Sequence, residues 1–266
     1  MFKLCAFDVD GTLFTSKKMI SEQTKEAISK AVSQGASIAI ASGRPTQGLK
    51  RVVSMLQIPL SSVYLVGYNG AKTTRADDDK TLLSRPMDRN LTNQLFEYCK
   101  RFDVSAYVST NQTMYASKAD GFNIEYESSG NNLSITVMDN MNLIEEDIHK
   151  ILFSGHPQEI NRMLDDARIH FSSLCELSIS APFYLECNSK GINKADALEA
   201  VCETMGIERK DVIAFGDAGN DLEMIEFAGY GVAMGNATDA VKEIANEITS
   251  SNDDEGIAHV LNRYYF

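Results

Sequence analysis

Short apolar segments that alternate with amphipathic helices constrain the fold of this chain more than any other feature of its sequence. Residues 2–7, 36–41 and 62–71 are predicted strands, and residues 21–35 and 46–58 are predicted helices between them. Apolar strands separated by helices are typical of a parallel sheet that is covered by helices on both faces. The sequence therefore predicts a doubly wound α/β fold.

The pattern changes near residue 85 and returns after residue 188. The intervening segment reads as a helix followed by alternating, antiparallel strands and a second helix, which is an α+β texture. Beyond it, strands and helices alternate again, and residues 239–248 are predicted as one helix. We expect a mostly parallel, Rossmann-like core sheet built from residues 1–84 and 189–266, with an inserted α+β cap domain at residues 85–188.

The charge of the chain limits the partners that it can bind. The net charge is −12, and an acidic surface argues against non-specific binding to nucleic acid or to anionic membranes, which requires clustered Lys and Arg. Small phosphorylated molecules stay possible, because the local field around a site decides their binding. No sequence feature indicates an oligomeric state.

The cysteines and the apolar runs bear on the compartment. The five cysteines are scattered, odd in number and without CxxC spacing, which predicts reduced thiols and not a disulfide framework or a zinc site. Neither a signal peptide nor an apolar run of about 18 residues is apparent. We therefore expect a cytoplasmic location.

Four short fragments stand at the ends of predicted parallel strands. They are AFDVDGT at 6–12, AIASGRP at 39–45, GINKADAL at 191–198 and IAFGDAGND at 213–221. Each alone has an ordinary structural explanation, such as a turn, a helix cap or a surface lysine. Ligands of open α/β sheets bind outside the carboxyl ends of the strands, so the four fragments together predict one site.

Two acids in the first fragment require a cation. Asp8 and Asp10 are two residues apart on a predicted strand, so their side chains point to the same side, where like charges repel each other. Together with Asp217 they offer the oxygen ligands that Mg²⁺ prefers. A carboxylate beside Mg²⁺ and a bound phosphate is a nucleophile, and a second carboxylate can act as general acid and then as base.

The other fragments offer donors for a phosphate dianion. Ser42, the Gly43 amide at a helix start and Lys194 are suited to bind its oxygens, and Asn220 is suited to add a donor or to orient Lys194. The whole set predicts phosphoryl transfer, in which positioning and electrostatics supply most of the catalysis.

These residues also carry a resemblance to a family. DVDGTLF, SGR, the lysine of GINKADAL and GDAGND resemble, in order, motifs one to four of the haloacid dehalogenase superfamily of phosphatases. YNGA, SAPFYLE, GVAMGNA and SNDDEGIA resemble its Cof-type sugar-phosphatase branch, so the resemblance covers essentially the whole chain. Members of that branch carry a large α/β cap of type C2 between motifs two and three, which implies the same for this chain.

The resemblance implies a role for each matched residue. Asp8 would be the nucleophile that forms a phosphoaspartyl intermediate, and Asp10 would protonate the leaving alcohol and then activate water. The implied Mg²⁺ ligands are Asp8, the Asp10 backbone carbonyl and Asp217. The implied phosphate ligands are the Val9 amide, Ser42, Gly43, Lys194 and Asn220. Near the substrate or behind the metal ligands the resemblance implies Arg44, Asn69 and Asp221.

One motif departs from the branch. Ala195 follows the lysine where the branch usually has glycine, and Lys190 lies four residues before Lys194. The spacing to ADAL favours Lys194, and Lys190 stays an alternative.

We therefore predict a Mg²⁺-dependent phosphomonoesterase that acts on small phosphorylated metabolites, sugar phosphates first. A phosphosugar mutase can be built from the same residues, and a phosphoacceptor signalling module is a further alternative. Such modules are far shorter and carry the acceptor on a later strand. The sequence does not select a substrate, and in the inserted domain Asn123, Tyr126, Glu127 and His156 are candidate substrate ligands by location only.

Overall fold

A computed structural model describes residues 1–140 and 143–266 of the chain. The chain divides into two compact units. Met1–Ser84 and Asn193–Phe266 form the first, here called the core unit, and Arg85–Ile192 form the second, here called the inserted unit. Elements are numbered along the chain, through both units.

An eight-stranded sheet forms the centre of the core unit, in the order β14-β13-β12-β1-β2-β3-β4-β5. Its strands are β1 Leu4–Phe7, β2 Ser37–Ala41, β3 Val63–Gly67, β4 Lys72–Arg75, β5 Thr81–Ser84, β12 Val212–Gly216, β13 Tyr230–Ala233 and β14 Glu247–Ile248. The six strands from β14 to β3 are parallel, and β4 and β5 are added antiparallel. The predicted mostly parallel α/β fold is confirmed.

Helices cover both faces of this sheet. They are α1 Glu22–Ser33, α2 Thr46–Leu56, α6 Lys194–Met205, α7 Leu222–Phe227, α8 Asp239–Ile244 and α9 Gly256–Leu261. Alternate residues of β1 face opposite layers: Cys5 and Phe7 pack in the cluster with α1, α2 and α9, and Leu4 and Ala6 pack in the cluster with α6, α7 and α8. Every side chain of β1 is therefore buried, which explains its continuous apolar run.

The strand order reverses its direction of growth at β1, which lies between β2 and β12. In open α/β sheets, such a switch point opens a crevice at the carboxyl ends of the strands. Asp8 directly follows β1, Ser42 follows β2, and Asp217 follows β12. The topology therefore brings three of the four predicted fragments to one edge of the sheet. The prediction for the fourth, GINKADAL, is wrong, because it follows no strand of this sheet and instead begins α6.

The inserted unit has a six-stranded sheet in the order β10-β11-β9-β6-β7-β8, in which only the pair β7–β8 is parallel among the pairs described. Its strands are β6 Val104–Thr110, β7 Thr113–Ala116, β8 Ser134–Val137, β9 Lys150–Gly155, β10 Cys175–Ala181 and β11 Tyr184–Ser189, and its helices are α3 Arg89–Cys99, α4 Ile124–Asn131 and α5 Pro157–Phe171. α3 and α5 pack on the sheet through an apolar cluster that contains Phe96, Phe153 and Met163.

The predicted helix at 239–248 is wrong in its second half. α8 ends at Ile244, because Ala245 is extended and Asn246 exchanges two hydrogen bonds with Gly231: the Asn246 N–H donates to the Gly231 carbonyl at 2.8 Å, and the Gly231 N–H donates to Asn246 Oδ1 at 2.7 Å. The next two residues then pair with β13 as β14. Tertiary pairing overrides the helical pattern here.

Two other expectations can be compared with the structure. All five cysteines are free and buried. No helix in residues 1–140 or 143–266 is both long enough and apolar enough to cross a membrane.

Candidate active site

Asp8 is the buried acid at the end of β1. Its backbone N–H continues the ladder to the carbonyl of Phe215, at 3.0 Å, so the carboxylate is delivered by a rigid strand. Only 5% of the residue is exposed. Burial raises the pKa of Asp8 to about 8, and the charges of Asp221 and Asp217 add to this effect while Lys194 opposes it. The site therefore holds more negative charge than its own cation balances.

Lys194 is the cation of the site. It is the first residue of α6, where Asn193 caps the helix by accepting a hydrogen bond from the Asp196 N–H at 2.8 Å. The side chain is fully buried, and its Nζ lies 2.6 Å from Asp8 Oδ1 and 2.6 Å from Asp221 Oδ1. Burial alone would lower the pKa of Lys194, but the two carboxylates raise it, so the ammonium stays charged.

Asp221 holds the other two groups in place. Its Oδ1 accepts from Lys194, and its Oδ2 accepts from the backbone N–H groups of Asp217 at 2.9 Å and Ala218 at 3.0 Å. The side chain is completely buried. Because both oxygens already accept hydrogen bonds, Asp221 fixes the lysine and the loop after β12 and is poorly placed to act as a nucleophile.

Asp217 stands between Asp221 and the loop that follows Asp10. Thr12 Oγ1 donates to Asp217 Oδ1 at 2.6 Å. Gly11 has φ of +93°, and a Cβ at this position would lie 2.4 Å from Asp217 Oδ2, so only glycine allows this close approach. Burial raises the pKa of Asp217 to about 6, while the Thr12 hydroxyl lowers it.

The carboxylates form a donor set that fits a hard divalent cation. One oxygen each of Asp8, Asp217 and Asp221 lie within 4.8 Å of one another. Across the described parts of the chain, hydrogen bonds reach Oδ1 but not Oδ2 of Asp8 and of Asp217. Carboxylate oxygens of this kind are the ligands that Mg²⁺ prefers, so the residues fit the predicted metal, with Asp8 and Asp217 as the better ligands.

Asp10 lies apart from this cluster and has its own cations. Arg44 Nε and a terminal nitrogen of the same guanidinium donate to the two Asp10 carboxylate oxygens, at 2.9 Å each. Lys18 Nζ donates to Asp10 Oδ1 at 2.6 Å. Burial would raise the pKa of Asp10, but Arg44 and Lys18 lower it below its usual value. The two acids of the first fragment thus lie in opposite environments.

Polar residues that follow β2, β3 and β12 contact one another. Ser42 is buried, and its carbonyl accepts from the Asn69 N–H at 2.9 Å. Asn69 Oδ1 accepts from Asn220 Nδ2 at 3.2 Å. A Cβ on Gly43 would lie 3.2 Å from Asn69 Oδ1, so these residues are close neighbours. Asn69 therefore connects two of the four predicted fragments, those of Ser42 and of Asn220, through direct contacts.

The remaining predicted residues have these positions. Val9 is fully buried, and its carbonyl accepts from the Phe14 N–H at 2.8 Å. Lys190 is exposed and belongs to the inserted unit, whereas Lys194 belongs to the core unit with Asp8.

The candidate substrate ligands of the inserted unit have structural contacts of their own. The His156 ring packs edge-on against Phe122 at 4.9 Å, and Glu127 Oε1 accepts from Asn131 Nδ2 at 2.9 Å. Asn123 precedes α4 with φ of +57°, and Tyr126 is 62% exposed.

Three site residues were missed at the level of sequence. Thr12 binds Asp217, Lys18 binds Asp10, and Asn236 Nδ2 donates to the Gly11 carbonyl at 2.8 Å. Thr12 belongs to the DGT run and Asn236 to GVAMGNA, so both had a signal in the sequence. Lys18 had none.

Comparisons with known proteins show which family the chain belongs to. A family profile described as haloacid dehalogenase-like hydrolase matches residues 5–261. The 5-amino-6-(5-phospho-D-ribitylamino)uracil phosphatase YitU of Bacillus subtilis is 32% identical over 270 residues, covering 98% of this chain and 97% of its own. A second Bacillus subtilis protein of that activity, YcsE, is 29% identical over 98% of this chain and 95% of its own. A haloacid dehalogenase-like hydrolase from Bacteroides thetaiotaomicron superimposes with a TM-score of 0.92 at 30% identity, covering all of both chains.

Proposed function

Since the chain belongs to the haloacid dehalogenase-like hydrolase family and is a phosphoric monoester hydrolase, we propose that it dephosphorylates small metabolites with Mg²⁺, through a phosphoaspartyl intermediate on Asp8. The observation that carries the proposal is the buried contact of Lys194 with Asp8, at 2.6 Å, beside Asp217. Asp8 thereby keeps one carboxylate oxygen free, next to the Lys194 ammonium and to Asp217, which is a proposed metal ligand.

Asp8 is the proposed nucleophile. Its Oδ1 is held by Lys194, and Oδ2 is left to attack phosphorus or to bind the metal. The attack forms a bond between a carboxylate oxygen and phosphorus and breaks the bond from phosphorus to the ester oxygen. Delivery of Asp8 by β1 keeps the reacting oxygen in a fixed position, which lowers the entropic part of the barrier.

Asp10 is the proposed proton carrier. It would give a proton to the leaving alcohol in the first step and take one from water when the phosphoaspartyl group is hydrolysed. Arg44 and Lys18 favour its ionised form, which is the form required for the second step. The negative charge of an incoming phosphate opposes these cations and favours protonation, which is required for the first.

Mg²⁺, when bound, would neutralise phosphate oxygens and the charge that develops in the transition state. Asp8 and Asp217 would hold it together with the Asp10 carbonyl, and Asp221 would hold Asp217 and Lys194 in place. Thr12 fixes the orientation of Asp217 through its hydroxyl.

The phosphate would be held by donors that surround the acids. We assign this role to Ser42, the Gly43 amide, Lys194, the Val9 amide and Asn220. Asn69 would orient Asn220 through the contact at 3.2 Å, and Arg44 would contact the phosphate or the leaving group from the Asp10 side.

For the substrate we propose sugar phosphates and phosphates of sugar alcohols. Two relatives are named as phosphatases of a phosphorylated ribitylamino compound, which carries its phosphate on a sugar-alcohol chain. The five free, buried cysteines fit a reducing compartment, and we expect the enzyme to work in the cytoplasm.

The test is phosphate release from some dozens of phosphorylated metabolites, with Mg²⁺ and with chelator, ranked by kcat/KM. We expect sugar and sugar-alcohol phosphates to rank highest and chelator to abolish release. No release from any ester with Mg²⁺ would contradict the proposal. An isomerised sugar phosphate as product, dependent on a bisphosphate activator, would instead indicate the mutase.

Variants test the assignments of the residues. Asp8→Asn should abolish turnover, and retained activity would remove Asp8 as the nucleophile. Lys194→Ala and Lys190→Ala form a matched pair, because each removes one of two lysines that lie four residues apart. Loss of activity in the first alone is expected, and loss in the second alone would reverse the assignment.

A further inference from the structure

Lys18 is an exposed lysine that reaches an active-site acid. It lies in the turn between β1 and α1, where the Thr15 N–H donates to the Met19 carbonyl at 2.9 Å and the Lys18 N–H donates to the Thr15 carbonyl at 2.9 Å. The side chain is 59% exposed, yet its Nζ lies 2.6 Å from Asp10 Oδ1. Its neighbour Lys17 is also exposed, and no ion pair is found for it in the described ranges of the chain.

The backbone of Lys18 is in a conformation that glycine would adopt more easily. Its φ is +58°, in the left-handed region that costs conformational energy for a residue with a Cβ. Such residues are frequent at functional sites, where the surrounding structure holds them. At Lys18 this backbone conformation accompanies the contact of the ammonium with Asp10. A glycine would adopt the conformation more easily but has no side chain to make the contact.

The segment before the turn is held by residues near the C-terminal end of the sequence. Asn236 Nδ2 donates to the Gly11 carbonyl at 2.8 Å, and Asn252 Nδ2 donates to the Phe14 carbonyl at 2.8 Å. The Ser16 N–H donates to Asp253 Oδ1 at 2.8 Å. These three contacts fix the path of the chain from Gly11 to Ser16, and therefore the place from which Lys18 starts.

The Asp10 carboxyl group is thus held from two sides. Arg44 contacts both of its oxygens at 2.9 Å, and Lys18 adds a third donor to Oδ1. The two contacts of Arg44 fix the plane of the Asp10 carboxylate. The Arg44 guanidinium is, however, also a group that a bound phosphate attracts. Lys18 is therefore a donor to Asp10 that does not depend on Arg44.

We propose that Lys18 is a positioning residue for Asp10, which it keeps directed toward the leaving-group oxygen while Arg44 engages the substrate. The inference rests on the proposed function, because it gives Asp10 the proton-carrying role. It predicts a dependence on the leaving group. An alcohol that leaves poorly requires a well-placed proton donor, whereas nitrophenolate leaves without one.

The test compares Lys18→Ala with the matched control Lys17→Ala, which removes the same charge from the same turn. The measured quantity is kcat/KM for glycerol phosphate and for 4-nitrophenyl phosphate, since kcat/KM reports the first, leaving-group-dependent step. We expect Lys18→Ala to lower kcat/KM about tenfold for glycerol phosphate and less than about twofold for the nitrophenyl ester. Lys18→Arg should restore most of the loss, and Lys17→Ala should change neither value.

An equal change for both esters in Lys18→Ala, or no change, would overturn the inference. Crystal structures of the two alanine variants give a second readout, independent of turnover. With inorganic phosphate bound, the Asp10 carboxyl group of Lys18→Ala should take a different orientation from that of Lys17→Ala, and the same orientation in both variants would also overturn the inference. If the unaltered enzyme releases no phosphate from any ester, the proposed function fails, and the crystal structures still decide whether Lys18 orients Asp10.

Discussion

Replacing Asp8 by asparagine should stabilise the metal-free protein while it abolishes activity. Asparagine has the shape of the aspartic acid side chain and no charge, so it imitates the protonated form. The pKa of Asp8 rises from 3.8 to about 8 on folding, mainly because the group is buried. A raised pKa means that the stabilising contribution is fully present below pH 3.8 and is lost as the pH rises toward 8.

The size of the effect follows from this difference. At pH 7, Asp8 is ionised in the unfolded chain and only partly ionised in the folded chain. This pH lies about three units above the pKa of Asp8 in the unfolded chain and below its pKa in the folded chain. At 1.36 kcal/mol per unit, the free energy of unfolding loses about 4 kcal/mol at pH 7 and about 2 kcal/mol at pH 5. Asp8→Asn should recover on the order of these amounts at each pH, because Lys194 keeps its contact with Asp221.

The assay is urea unfolding in chelator, followed by circular dichroism at pH 7 and at pH 5. Because the chain has two units, the transition to be compared is the one that Mg²⁺ shifts in the unaltered protein. Glu226→Gln, an exposed acid of the core unit, is the control and should change stability little. A metal-free Asp8→Asn protein that is less stable than the original, or a gain that is the same at both pH values, would refute the electrostatic reasoning.

Three further predictions concern the same carboxylates. Mg²⁺ affinity, measured by isothermal titration calorimetry, should rise between pH 5 and pH 8, because protons compete for Asp217, with a pKa of about 6, and for Asp8; an affinity independent of pH would contradict the assignment of these ligands. Gly11→Ala should weaken Mg²⁺ binding, because its Cβ would lie 2.4 Å from Asp217 Oδ2, whereas Gly35→Ala, with φ of +91° and open space around it, should affect stability alone. Equal Mg²⁺ affinities of the two variants would show that the close approach does not matter. Lys194→Met should destabilise the metal-free protein by about 3–5 kcal/mol at pH 7 and by less at pH 5, since it leaves two buried carboxylates without their cation. Thermal unfolding measures this loss, and an unchanged stability would contradict the importance of the buried ion pairs.

The sequence predicts the fold well where residues act through periodicity and strand ends. The alternation of apolar strands and helices predicts the parallel sheet, and the family resemblance is confirmed over nearly the whole chain. Asp8, Ser42 and Asp217 were predicted to share an edge because each directly follows a parallel strand. The spacing to ADAL favours Lys194 but leaves Lys190 as an alternative, because burial at a helix start has no local signature. The structure brings Lys194 into contact with Asp8.

Features that depend on distant contacts could not be read from the sequence. The end of α8 depends on the pairing of Asn246 with Gly231, and a ten-residue window contains no sign of that partner. The ionic partners of Asp10 also depend on contacts that are distant in the sequence. Lys18 reaches Asp10 only because a left-handed backbone and three anchoring contacts set its direction, and none of these follows from the local residue pattern.

The anchors of the loop after Asp10 also set an order of events during synthesis. The contact of Asn236 with Gly11 spans 225 residues, and that of Asn252 with Phe14 spans 238. A chain that emerges from the ribosome therefore presents Asp8 and Asp10 long before their loop has its supports. The inserted unit is complete by Ile192 and is free to fold while the anchors are still untranslated. We expect the catalytic loop to be the last part of the core unit to become ordered, so a ribosome-bound chain that lacks these anchors should be inactive.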